Sequence, residues 1–137
     1  MTAAHKNPLI VERGRAALAA LKESAPSLVF ASLVTDDGFE IVSHPTHPND
    51  DGRLASMSSS VQALADAVSR AMSVGDSEFV ILAAEQGHVI QRRVPDHPIV
   101  LAAVFDHHET LGKALSISRL TTEGLRDLPT SNAVPAA

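Results

Sequence analysis

The sequence predicts an α+β fold with its elements in the order helix, strand, strand, helix, strand, strand, strand, helix. Three observations predict it. The 137 residues suit one domain, and they contain no internal repeat. Apolar residues recur at helical spacing in three segments, whereas five short apolar runs are bounded by turn residues. Because these runs look covered on both faces, we expect one helix on one face of the sheet and two on the other.

The first helix is predicted over residues 8–24. Asn7 suits the capping position and Pro8 suits the first helical position. Pro26 then stops the helix. The apolar residues that recur at helical spacing between these signals are Ile10, Ala17, Leu18 and Leu21.

The middle helix is predicted over residues 53–74 and ends before Gly75, which easily adopts the left-handed end conformation. Its apolar residues form one broad stripe, which we expect to face the sheet. The stripe consists of Leu54, Met57, Val61, Leu64, Ala65, Val68, Ala71 and Met72. The last helix is predicted to start near His108 and to end at Pro129. Its helical face is Leu111, Ala114, Leu115, Ser118, Thr122 and Leu125.

The strands are predicted over residues 27–34, 39–43, 78–85, 88–94 and 99–105. Short turns join the last three, so these should be antiparallel neighbours. The runs 78–85 and 99–105 are nearly all apolar and should be covered on both faces. The run between them holds Gln91, Arg92 and Arg93 and should be more exposed.

Two aspartates, Asp36 and Asp37, lie between the first two strands. They suggest either a paired-carboxylate site or a hairpin turn. A two-residue turn at Asp37-Gly38 would place Val34 opposite Ile41 and Leu33 opposite Val42, so that apolar residues meet across the strands. Asp-Gly is also a strong hairpin signal. The turn is the favoured interpretation because it explains Gly38 as well.

Composition argues against several functions. The chain has no cysteine, which excludes disulfides and thiolate chemistry and fits a reducing compartment. Its net charge is −5 with scattered basic residues, and Trp and Tyr are absent, which argues against nucleic-acid binding. No apolar run approaches the roughly 20 residues that cross a bilayer, and the N-terminus lacks a signal-peptide core. We expect a soluble cytoplasmic protein without membrane contact.

Histidines and serines suggest further chemistry, but each has a simpler explanation. His44-x-x-His47 with Asp50 and Asp51 resembles a metal site, although the segment 44–53 is a proline-containing loop. His107-His108 precedes the last helix, which Asp106 should cap. The serines of "SMSSS" (56–60) lie in a helix-forming stretch, and the sequence contains neither a nucleophile elbow nor a phosphate loop. No catalytic residue, cofactor or metal ion is expected.

Arg92-Arg93 could contact an acidic partner or a phosphate. Neighbouring strand residues point to opposite faces, so the two need not act together. Ordinary solvated strand residues are the favoured interpretation.

Three segments in this order resemble the roadblock (dynein light chain) domain family, in particular its bacterial members. They are "LVTDDGFEIVS" (33–43), "MSVGDSEFVILAAEQGHVIQRRV" (72–94) and "IVLAAVFDHHETLGKALSISRL" (99–120). Each combines an apolar strand with the turn or helix that the family has at that point. The resemblance covers residues 8–128 as a single domain, and residues 1–7 and 129–137 are expected to be disordered tails.

The resemblance implies a five-stranded antiparallel sheet with the middle helix on one face and the two terminal helices on the other. It also implies a dimer formed through the middle helices and the strand after them. Family members are typically non-enzymatic scaffolds and regulators partnered with small GTPases, and bacterial examples include gliding-motility regulators that activate a Ras-like GTPase. The predicted function is therefore a homodimeric scaffold that binds such a GTPase, or another signalling protein, and modulates the GTPase cycle.

A small-residue arc on the middle helix suggests where a second copy binds. Small side chains let another helix approach closely, although a solvent-exposed helix side has the same composition. The strand 78–85 would be an apolar edge unless it were paired. The predicted dimer-interface residues are Ser56, Ser60, Ala63, Ala67, Val74, Phe79 and Ile81.

The alternative function is a small-molecule sensor. It predicts a cavity between sheet and helices with a few converging polar groups. The residues expected to line that cavity are Phe30, Phe39, Phe79 and Phe105. An enzyme ranks third, and would need His and Asp side chains clustered in one cleft.

Overall fold

The computed structural model describes residues 3–46 and 52–129, which form three α-helices and one five-stranded antiparallel sheet. The helices are α1 (Pro8–Ser24), α2 (Arg53–Ala71) and α3 (Leu111–Glu123). The strands are β1 (Leu28–Thr35), β2 (Glu40–His44), β3 (Val80–Ala84), β4 (Gly87–Arg93) and β5 (Ile99–Asp106). They lie in the order β2-β1-β5-β4-β3. The predicted α+β class, element order and sheet are confirmed.

The hydrophobic core lies mainly on one face of the sheet. There α1 and α3 pack together over the strands and bury the largest apolar side chains. Representative core residues are Ile10, Leu18, Leu33, Leu101 and Phe105. On the opposite face, α2 contributes to a much smaller buried cluster of Val34, Ala55 and Val100. The α1–α3 side therefore holds most of the apolar burial that stabilises the fold.

Helix α1 has the predicted bounds, because its capping signals act as expected. The side chain of Asn7 accepts a hydrogen bond from the backbone N–H of Leu9 at 3.0 Å, and Pro8 occupies the first helical position. The start of α3 differs from the prediction. Thr110 caps this helix by accepting from the N–H of Lys113 at 3.2 Å, whereas Asp106 accepts from the N–H of His108 in the preceding turn. A hydroxyl closer to the helix thus replaces the predicted carboxylate cap.

Helix α2 ends three residues earlier than predicted. Ser73 and Gly75 both have positive φ angles, so the chain leaves the helix before Gly75. Before α1, residues Ala4–Lys6 form a 3-10 turn, and both Ala4 and Asn7 are buried. The predicted disorder of the two tails stays a prediction. Residues 1–2, 47–51 and 130–137 lie outside the described part of the chain.

The hairpin between β1 and β2 is a turn, as favoured, but a three-residue one. The N–H of Thr35 donates to the carbonyl oxygen of Phe39, and the N–H of Gly38 donates to that of Thr35. Within this turn, Gly38 alone has a positive φ, at 93°. This is a type I turn with a bulge, which needs one left-handed residue instead of two.

The longer turn changes the pairing of the two strands. Leu33 lies opposite Val42 as predicted, but the register shifts and Val34 lies opposite Glu40 rather than Ile41. The expectation for Val34 was therefore wrong, because it assumed a two-residue turn.

The exposure predicted for the third and fourth strands is reversed, whereas β5 is buried as predicted. β4 lies between β3 and β5, so Ile90, Gln91 and Arg92 are buried. β3 is an edge strand, and residues 81–84 are exposed. Strand order decides burial here, because a polar strand in the middle of a sheet is better covered than an apolar strand at its edge.

Gly87 is expected to tolerate no side chain. A Cβ at this position would lie 2.1 Å from the carbonyl oxygen of Phe105 in the neighbouring strand. We predict that Gly87→Ala lowers the free energy of unfolding by about 1–3 kcal/mol, the usual cost of overpacking. Urea denaturation at fixed protein concentration measures this change.

Gly112→Ala is the matched control. A Cβ at Gly112, within α3, meets no atom within 4 Å. Alanine favours the helical conformation by up to about 1 kcal/mol over glycine, so this variant should be at least as stable as the native chain. Equal losses in both variants would contradict the steric explanation.

Candidate functional site

Helix α2 faces the sheet with a row of polar side chains. Ser58, Gln62 and Asp66 are spaced four residues apart, so they lie along one side of the helix. Gln91 and Arg93 are spaced two apart on β4, so they point to one face of the sheet. Four helical residues rise about 6 Å and two strand residues about 6.6 Å. The similar rise lets residues of the two rows meet in pairs where the sheet-facing side of α2 contacts β4.

The first contact between the rows is made by two buried amides. Gln62 and Gln91 are only 2% and 4% exposed. The Nε2 of Gln91 donates to the carbonyl oxygen of Ser58 at 3.1 Å and lies 3.5 Å from Oε1 of Gln62. The Nε2 of Gln62 donates to Oδ1 of Asp66 at 3.1 Å. Because an unpaired buried polar group costs about 1–3 kcal/mol, these bonds favour one rotation of α2 about its axis.

The second contact is a forked ion pair. The Nη1 of Arg93 lies 2.6 Å from both carboxylate oxygens of Asp36, and its Nη2 lies 2.7 Å from Oδ2 of Asp66. One guanidinium thus joins β4, the β1–β2 turn and α2. Burial alone would lower the pKa of Arg93, but its hydrogen bonds and charge interactions with the two carboxylates outweigh this and raise the pKa above its ordinary value. We call Ser58, Gln62, Asp66, Gln91, Arg93 and Asp36 the polar layer.

The apolar stripe of α2 faces away from the sheet, so the predicted orientation was wrong. Leu64, for example, is 66% exposed. An amphipathic helix normally buries its apolar side on its own domain, but here the side facing the sheet is taken by the polar layer. The exposed large side chains of this stripe are Leu54, Met57, Leu64, Val68 and Met72, and Val74 follows them just beyond the helix. Contiguous exposed apolar residues of this kind mark interaction surfaces.

The exposed stripe continues onto the edge strand. Within residues 3–46 and 52–129, β3 pairs with β4 alone, and Ile81 and Leu82 are exposed. A groove of about 620 Å³ lies between α2 and β3, with Val61, Val68 and Val80 among its lining residues. We call the exposed α2 stripe, Val74 and the β3 residues the α2–β3 face. It offers a partner both apolar side chains and unpaired backbone groups.

The predicted dimer-interface residues border this face. Ser56, Ser60, Ala63 and Ala67 are exposed on α2, beside the apolar stripe, and Val74 and Ile81 are exposed within the face itself. Phe79 is half-buried, because its ring lies 5.2 Å from the guanidinium carbon of Arg92 and 5.1 Å from that of Arg119. Their role in binding a second copy stays a prediction.

The two adjacent arginines act on opposite faces of the sheet. The favoured interpretation as ordinary solvated residues was wrong for both. Arg92 is buried, where its Nε donates to Oγ1 of Thr122 at 2.9 Å and its Nη2 to Oε1 of Glu123 at 3.1 Å. Arg92 therefore ties α3 to β4, while Arg93 ties α2 to the same strand. The alternation was predictable, whereas the partners were not, because they come from distant parts of the chain.

The residues proposed for other chemistry are not brought together. Asp36 binds Arg93, and Asp37 accepts from Oγ1 of Thr35 at 2.5 Å, so the two carboxylates stabilise the turn and its contacts. Among residues 3–46 and 52–129, no group of three or more His, Asp or Glu side chains could hold a metal ion. His47, Asp50 and Asp51 lie outside the described residues.

The four phenylalanines occupy separate environments. Phe105 is fully buried in the α1–α3 core, Phe39 stacks on His5 at 4.4 Å, and Phe79 lies beneath two arginines. Phe30, on β1, lies opposite Val104 of β5. The common cavity that a sensor would need is therefore not built by these residues.

The sequence analysis did not identify Gln62, Asp66 and Gln91 as residues that act together. A signal was present, since Ser58, Gln62 and Asp66 repeat at four-residue spacing along the helix. The function of this row does not follow from the sequence, because the strand residues opposite it cannot be identified without the fold.

Within the described residues, no helix is long and apolar enough to cross a membrane.

Comparison with known proteins places the fold. No protein-family model matches the sequence, and no curated protein matches it either. Solved structures do match. The Roadblock/LC7 domain from Streptomyces avermitilis has a TM-score of 0.71 at 16% identity, covering 79% of this chain and 90% of that chain. Myxococcus xanthus MglB has a TM-score of 0.76 at 19% identity, covering 85% and 86%. The gliding protein mglB from Thermus thermophilus has a TM-score of 0.72 at 19% identity, covering 85% and 87%. This chain therefore has the roadblock/LC7 fold, as its sequence resemblance predicts.

Proposed function

We propose that this chain is a non-catalytic cytoplasmic scaffold that forms a homodimer through the α2–β3 face and binds a small Ras-like GTPase or an associated signalling protein. The observation that carries the proposal is the orientation of α2, which directs its apolar stripe outward next to an unpaired strand edge. The fold shared with MglB supports the same function. The resemblance to the roadblock family implies dimers and GTPase partners.

A second copy of the chain is the occupant that fits this face best. A twofold axis beside β3 would pair the two β3 edges antiparallel, so that each satisfies the backbone groups the other leaves open. The same axis would bring the two α2 stripes together, because both features lie on one side of the molecule. Both elements would then be buried in a single contact.

The GTPase would be regulated through the shape of the dimer. A dimer offers a composite surface that a single chain lacks, and it shifts a GTPase towards whichever switch conformation it binds better. The sequence contains no phosphate loop, so nucleotide would be bound by the partner. Modulation of the GTPase cycle follows from this preference without any catalytic residue in the scaffold.

Leu64→Arg tests the dimer. We predict a dimer at micromolar concentration for the native chain. Placing an unpaired charge in its interface costs about 3 kcal/mol or more, so the dimer Kd should rise by roughly 100-fold. Sedimentation velocity over a concentration series measures this change.

Leu120→Arg is the matched control. Leu120 is also an exposed helical leucine, at 70% exposure against 66% for Leu64, but it lies on α3. This variant should remain a dimer. A native monomer at micromolar concentration, or equal behaviour of the two variants, would contradict the proposal.

Ala67→Arg and Ala63→Arg test the predicted small-residue seam separately. If the arc beside the apolar stripe also contacts the second copy, each variant should raise the dimer Kd by about 10-fold or more, since a long side chain would separate the helices. The same sedimentation series measures this effect. An unchanged dimer would limit the interface to the apolar stripe and β3.

Binding of a GTPase requires a separate experiment. The immobilised native chain is incubated with host lysate loaded with GDP or with a non-hydrolysable GTP analogue, and captured proteins are identified by mass spectrometry. We expect a Ras-like GTPase to be enriched in one nucleotide state. The purified pair is then assayed for binding and GTP hydrolysis, where a rate change indicates a regulator and binding alone indicates a scaffold. Absence of any GTPase in both states would contradict the proposed partner.

A further inference from the structure

We infer that the polar layer is a positioning device: its pairing of α2 with Gln91 and Arg93 holds the apolar stripe outward and so sets the affinity of the α2–β3 face for its partner. The inference rests on the proposed function, since it concerns the same face. It assigns a role to residues that lie behind α2 and would not touch the partner.

Apolar contacts hold α2 only weakly. Ala55 and Gln62 are its buried residues, and Ala55 belongs to a cluster of three small or medium side chains. Helix α1, by contrast, buries Ile10, Leu18 and Leu21. Hydrophobic contact is also non-directional, so Ala55 cannot select one rotation of the helix.

The most apolar side of α2 would otherwise turn towards the sheet. A rotation that buried Leu64 and Val68 against β4 would remove a large apolar area from water. It would also leave the amide of Gln91 facing hydrocarbon without partners and would take Asp66 away from the guanidinium of Arg93, which is strongly unfavourable. The polar layer therefore opposes the one rearrangement that would hide the binding surface.

The polar layer can oppose rotation of α2 because its contacts on the side of the sheet are themselves held in place. Asp36, the second partner of Arg93, lies in the β1–β2 turn, and its N–H donates to the carbonyl oxygen of Pro98 at 3.0 Å. That bond ties the turn to the β4–β5 connection. Arg93 thus joins α2 both to β4 and to this turn, and its charged, bidentate hydrogen bonds add geometric specificity.

The test is the double variant Gln91→Leu/Arg93→Met, which makes the sheet surface beneath α2 apolar. If the polar layer positions α2, the helix can rotate and bury its stripe. We expect the dimer Kd to rise at least 10-fold while the chain stays as stable to urea as the native protein, when both proteins are measured at a concentration below the native dimer Kd. If the polar layer only stabilises the fold, the double variant should have a lower free energy of unfolding. Its dimer would then weaken only to the extent that the chain unfolds.

Arg13→Met is the matched control. Arg13 pairs with Asp127 at 2.6 Å, and its side chain is 37% exposed against 32% for Arg93, but it lies on α1. Its dimer Kd should stay within twofold of the native value. Arg93→Lys is the conservative variant, which keeps the charge but loses the fork, and it should give an intermediate Kd. If the double variant fails to fold, Arg93→Lys alone tests the inference.

Hydrogen exchange of the α2 amides separates this inference from the dimer proposal. Even if the native chain is monomeric, loss of the polar layer should change exchange in α2 and leave β1 and β5 unchanged. An unchanged dimer Kd in the double variant and in Arg93→Lys would overturn the inference while the dimer stands. In a monomeric chain, unchanged α2 exchange would overturn it.

Discussion

The arrangement of this molecule depends on the polar contact between α2 and β4. Buried amides and a guanidinium require partners with defined geometry, and Gln62, Asp66 and Asp36 supply them. Once these pairs form, α2 has no freedom to place its apolar stripe on the sheet. The exposed α2–β3 face is therefore a direct consequence of where the hydrogen bonds are satisfied.

The two faces of the sheet consequently play different parts. The α1–α3 face carries the large apolar core and accounts for most of the burial. The α2 face carries polar pairing and a small apolar cluster. This division lets the domain be stable on one side while keeping an apolar surface open on the other, which a protein with two conventional cores would not achieve.

The sequence alone predicts the local elements well, because their signals are local. Asn7 and Pro8 define the start of α1, and turn residues separate the strands. It predicts the orientation of α2 wrongly, because the apolar stripe suggests a core and the partners of the polar row lie on β4, more than 20 residues away. The error in the hairpin is local instead, since one additional turn residue displaces the partner of Val34 by one position while Leu33 still pairs with Val42. Interactions between distant segments decide the candidate site, and a single sequence does not reveal them.

Strand β4 connects these features, because its neighbouring arginines serve opposite faces. Arg92 holds α3 and Arg93 holds α2, so both helical layers are fastened to one strand. That strand is next to the exposed edge β3, with which it pairs over Val80 to Ala84. In the proposed dimer, a second copy would extend the sheet by pairing with β3. β3 is the neighbour of β4, the strand that holds both α2 and α3. The second copy's own α2 would reach the open stripe at the same time, because the groove between α2 and β3 places the stripe next to that edge. Edge pairing and helix packing are therefore expected to occur together, and neither surface would be buried fully without the other.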